Sequence, residues 1–80
     1  MFNYTKRVII EEVITMDYKT IGQRLISLRG NKSLRDVAKD LKISISALSM
    51  YENDKRVPRD EVKKQIADYY HTSVEMIFFA

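Results

Sequence analysis

"SLRDVAKDLKISISALSMYENDKRVP", residues 33–58, is the stretch whose reading decides the fold. Its first half has a well-marked helix start. Ser33 carries the hydroxyl of an N-cap, and Asp36 three residues on completes a Ser-x-x-Asp capping box. Leu34, Val37, Ala38 and Leu41 then fall at i, i+3, i+4 and i+7, one apolar stripe of a helix. Ser44 offers a second N-cap only three residues after Leu41, so another helix begins almost at once. So brief a connection makes the two helices cross steeply. This second helix runs to about Asn53, and its opening is odd: Ser44 to Met50 carry no charge, in a chain where 31% of residues do. Charge then returns abruptly at Lys55 and Arg56.

Outward from this pair, the same spacing continues. Ile21, Leu25 and Leu28 line a preceding helix that ends near Gly30, where glycine suits a left-handed cap. Asn53-Asp54 ends the uncharged helix, both residue types tolerating positive φ. Pro58 favours an extended Val57 and restarts the chain. A fourth helix covers roughly Asp60 to Tyr70, with Val62, Ile66 and Tyr69 or Tyr70 inward; His71 suits a left-handed turn behind it. Ser73 caps a last short helix carrying Val74, Ile77 and Phe78. With only two glycines and one proline, the chain reads as an all-α, compact five-helix domain over residues 16–80. Residues 1–15 form an extension of ambiguous character. Val8, Ile9, Ile10, Val13 and Ile14 are β-branched and favour strand, yet the 9, 13, 16 spacing suits a helix. Met16-Asp17-Tyr18-Lys19 also reads as the natural opening of a shorter chain.

Eighty residues hold one small domain. There is no cysteine, so neither a disulfide frame nor a thiolate metal site holds it together, which fits a cytoplasmic setting. The net charge of +3 permits a polyanion partner without demanding one; clustering on one face is what matters. No apolar run is long enough to span a bilayer, and Glu11 and Glu12 interrupt the N-terminal apolar stretch, so neither a membrane segment nor a signal peptide is expected. Catalysis finds little to use. His71 is the one histidine, Asp60-Glu61 suit a helix N-terminus, and no glycine-rich phosphate loop occurs. The expectation is a non-enzyme with no cofactor, no metal and no small-molecule substrate.

The ordered set "IGQRLISLR", "SLRDVAKDLKISISALSMYEN", "KRVP" and "KKQIADYYHTSVEMIF" resembles the Cro/cI-type helix-turn-helix family of bacterial and phage repressors, a lambda-repressor-like fold. Val37-Ala38 stands where members read Leu-Ala, Tyr51-Glu52 matches their Tyr-Glu, and a basic pair with a proline follows at Lys55, Arg56 and Pro58. The resemblance implies a third helix in the major groove of double-stranded DNA, with the second lying across the backbone. It carries Ser33 and Ser44 to phosphate contacts at helix starts. It carries Ile45, Ser46, Ser49 and Met50 to the face that meets base edges, and Asn53, Lys55 and Arg56 to the loop that grips the backbone beyond. It also carries Arg29 and Glu52 to a buried ion pair between the first and third helices. Three positions depart from the family pattern. Leu34 replaces a common phosphate-binding glutamine, while Lys42 and Asp54 stand at usual glycines; Asp54 would also set a negative charge near the DNA.

A helix inserted into a groove about 12 Å wide needs slim side chains where its backbone approaches, and Ser44, Ser46, Ala47 and Ser49 are slim. Serine hydroxyls can donate or accept, while Ile45 and Met50 can lie against thymine methyls. Ile45, Leu48 and Tyr51 are also three apart, the spacing of a core stripe. Leu48 therefore reads as core, Met50 as outward, and Ile45 as either. The function expected is a sequence-specific DNA-binding regulator, a repressor acting as a homodimer, because one helix reads only a few base pairs. The tail Ile77, Phe78, Phe79 is the first candidate for the twofold contact and the N-terminal extension the second; alternatively the tail closes the core. The rival function is a protein-interaction module of the same fold, such as an antitoxin, docking a partner on the apolar face of the third helix.

Overall fold

The computed structural model describes residues 20–80, and the extension expected over residues 1–15 lies outside them. Five α-helices follow one another: α1 (Ile21–Arg29), α2 (Leu34–Leu41), α3 (Ile45–Glu52), α4 (Asp60–Tyr69) and α5 (Val74–Phe78). No strand occurs among the described residues. The all-α reading holds.

Local hydrogen bonds set each start. Ser33, Ser44 and Ser73 cap α2, α3 and α5, each hydroxyl accepting from the amide three residues on. At Ser33 this is the serine half of the expected box. Both halves of such a box form at Thr20, where the Gln23 amide donates to Oγ1 at 3.1 Å and Gln23 Oε1 accepts from the Thr20 amide at 3.2 Å. The helix ends repeat one device. After α2, α3 and α4 the chain turns through a left-handed residue, Lys42 (φ 58°), Asp54 (φ 57°) and His71 (φ 58°). The amide one residue later reaches back to close the turn: Ile43 to the Ala38 carbonyl, Lys55 to Met50, Thr72 to Ala67. Asn53 itself keeps an ordinary φ of −100°, so the positive angle falls on Asp54 alone. Gly30 has positive φ as expected, but its ψ of −125° lies outside the left-handed helical region, a combination open to glycine and strained for residues with a Cβ.

The core gathers Leu25 from α1, Val37 from α2, Leu48 from α3, Ile66 from α4 and Ile77 from α5, all fully buried. Of the two readings of the tail, Ile77 and Phe78 follow the second and close the core, while Phe79, 67% exposed, projects from it. The cause is a long-range anchor. Arg24, buried on α1, donates from Nη1 to the Ile77 carbonyl at 2.7 Å and from Nη2 to the Ala80 carbonyl at 3.0 Å. These charge-assisted bonds draw the last turn onto α1. Among the described residues no helix is long and apolar enough to cross a membrane.

Candidate nucleic-acid interface

α3 has two unlike faces. Leu48, Tyr51 and Glu52 point inward. Ile45, Ser46 and Met50 are exposed and Ser49 half so, with Asn53 continuing the row at helical spacing. The open alternative for Ile45 closes in favour of the outer face: it is 44% exposed, and Met50 40%. Leu48 and Tyr51 supply the inward stripe without it.

Two cations lie directly behind. Lys55 and Arg56 are exposed, and the Lys55 amide donates to the Met50 carbonyl at 2.9 Å, which fixes the first cation's backbone one turn from the outer face. Ser33 and Ser44 are exposed at the starts of α2 and α3, where orphan amides and the positive helix end favour an anion. Asn53 is differently occupied. Its side-chain amide donates to the Ser49 carbonyl at 2.8 Å and to Ser49 Oγ at 3.3 Å, so its donors close the last turn of α3. Eight of the nine predicted positions, all but the half-buried Ser49, thus stand exposed, and Asn53 turns its side-chain amide back on Ser49.

Beneath the interface α3 is tied to α1. Arg29 Nε donates to Glu52 Oε2 at 2.8 Å and Nη2 to Oε1 at 3.1 Å, a bidentate pair on a buried glutamate. The third guanidinium nitrogen donates to the Lys32 carbonyl at 2.8 Å. The hydrogen bond to Glu52, then its charge, raise the Arg29 pKa above the usual value against a desolvation cost. Tyr70 stands beside this pair; burial first, then the Glu52 charge, push its phenol up to about 12.

Four contacts here have partners that the sequence does not announce. Gly22 lies so close to α3 that a Cβ would overlap the Glu52 carbonyl oxygen. Its amide donates to Asp54 Oδ1 at 2.8 Å, so the aspartate caps the first turn of α1, and its charge serves that helix end rather than simply opposing DNA. Tyr69 donates to Asp40 at 2.7 Å and accepts from Lys32 Nζ at 3.1 Å, linking α4 to α2 and to the α1–α2 turn. The one legible signal was Gly22, since a glycine inside a helical pattern marks a close approach. Asp54 and Tyr69 gave none, because their partners lie 32 and 29 residues away.

A helix-turn-helix family model matches residues 24–77, more than half of the chain. No curated protein matches, and no solved structure matches.

Proposed function

Since the chain belongs to the Cro/cI-type helix-turn-helix family of DNA-binding domains, we propose that it is a cytoplasmic transcriptional repressor that binds double-stranded DNA as a homodimer. α3 enters the major groove, with Ile45, Ser46 and Met50 toward the base edges. Lys55 and Arg56 hold phosphates beyond it, and Ser33 and Ser44 bring the starts of α2 and α3 to the backbone. The observation that carries this reading is the outward set on α3 with two exposed cations behind its end. The homodimer follows from economy of reading: one helix of this length covers few base pairs, and two half-sites about 34 Å apart multiply the discrimination. Phe79 is the part of the tail left outside to serve such a contact.

The exposed apolar pair Ile45 and Met50 also favours a second reading, a face that docks a protein partner as an antitoxin does. Salt separates the two. Each phosphate neutralised contributes a slope of about −0.9 in log K against log salt. Replacing Lys55 and Arg56 by alanine removes two phosphate contacts from each protomer, four from the dimer, and is expected to weaken duplex binding and flatten that slope by nearly four units. Gel shifts of genomic fragments at several salt concentrations measure it. No shifted fragment at low salt overturns the DNA reading and leaves the docking face; a shift whose slope the substitutions leave unchanged overturns the phosphate role of Lys55 and Arg56.

A further inference from the structure

We infer that α3 recognises the C5-methyl groups of pyrimidines, thymine above all, through Ile45 and Met50, given the groove placement of α3 proposed above. The polar groups on its outer face are already engaged or too few. Ser44 Oγ accepts from the Ala47 amide at 2.9 Å and sits on the cap. Ser49 Oγ accepts from Asn53. The Asn53 amide, the one group on this face able to make a bidentate contact with adenine, turns its donors back on Ser49. Ser46 keeps a hydroxyl without an intramolecular partner among the described residues, but one hydroxyl donates or accepts equally and separates few bases. What projects is hydrocarbon and thioether. In the major groove the unmodified bases offer one apolar group, the thymine methyl. The Lys55 amide bond to the Met50 carbonyl holds the phosphate grip and this apolar contact in register.

Burying one methyl against such a side chain changes affinity about fourfold, so one methyl in each of two half-sites gives roughly 15-fold. The experiment selects bound duplexes from a random-sequence pool with the full chain, then recopies the winners with uracil in place of thymine. The expected result is a loss of about that size. It shrinks toward none in Ile45→Ala/Met50→Ala and persists in Ser46→Ala, with thermal melting confirming that each variant is folded. At a sensitive thymine, a 5-methylcytosine pair is expected to bind about fourfold better than a cytosine pair. Winners that bind equally with uracil, or a loss unchanged in the double variant, overturn the methyl reading while leaving the DNA reading standing. A pool from which nothing is enriched at low salt overturns both.

Discussion

At its C-terminal end α3 is fastened to α1 by the Arg29–Glu52 pair, the Gly22 approach to the Glu52 carbonyl and the Asp54 bond to the Gly22 amide. At its N-terminal end the Ser44 cap and the short turn Lys42–Ser44 carry the chain in from α2. Tyr51 and Glu52, near the fastened end, are buried; Ile45 and Ser46, at the other, are exposed. A probe is built this way: rigid at the root, slim and uncommitted at the tip. Under the proposed function, stability and recognition draw on different residues of one eight-residue helix, and substitutions at the root can be separated from those at the tip.

The largest effect is expected at the root. Arg29→Ala leaves the Glu52 carboxylate buried without its guanidinium, and removing one partner of a buried pair costs about 3 kcal/mol. Because Arg29 keeps part of its side chain in water, the lower end of the usual range applies. Urea unfolding checks it. A loss well under about 1 kcal/mol would make the pair no more than a surface contact and erase the contrast between the two ends.

Next comes a test by pH. The Tyr70 phenol, raised to about 12 from an ordinary 10.0, holds its proton more tightly in the folded chain. Its contribution is complete below pH 10 and is lost as pH rises through about 12, when a second negative charge appears near Glu52. For a half-buried group the loss is about 1–2 kcal/mol after solvent screening. Tyr70→Phe is expected to flatten this alkaline fall while costing little at neutral pH, since the hydroxyl is buried without a partner among the described residues. Stability curves of the two proteins between pH 8 and 12 decide it; equal slopes refute the assignment.

Much of the helical frame was legible because its causes are local. A serine hydroxyl and an amide three residues on, or an apolar stripe within one helix, are written in neighbouring letters. The positive φ of Asp54 and His71 was legible for the same reason, whereas that of Lys42 followed only from its standing at a usual glycine of the family. The tail was not. Whether Ile77 and Phe78 face water or core depends on Arg24, more than fifty residues earlier, and an arginine carries no mark that it will be buried. At the interface the types and spacing announced the outer face of α3, but the bond between Asn53 and Ser49 depends on rotamers that spacing leaves open.

The smallest effect sharpens the comparison most. Lys42 and Asp54 adopt the same left-handed angle and close the same kind of turn, one before α3 and one after it. Glycine at either position relieves up to about 1 kcal/mol of backbone strain, less the entropy it adds to the unfolded chain. Among the described residues the exposed Lys42 side chain makes no hydrogen bond or ion pair, so Lys42→Gly is expected to be neutral to slightly stabilising. Asp54→Gly gains the same relief but strips the Gly22 amide of its acceptor, a loss of about 1 kcal/mol or somewhat more. The difference between the two melting curves therefore isolates one hydrogen bond, with the shared strain subtracted. If both substitutions shift stability alike, the Asp54 carboxylate contributes nothing to fastening α3, and the root is held by Arg29 and close packing alone.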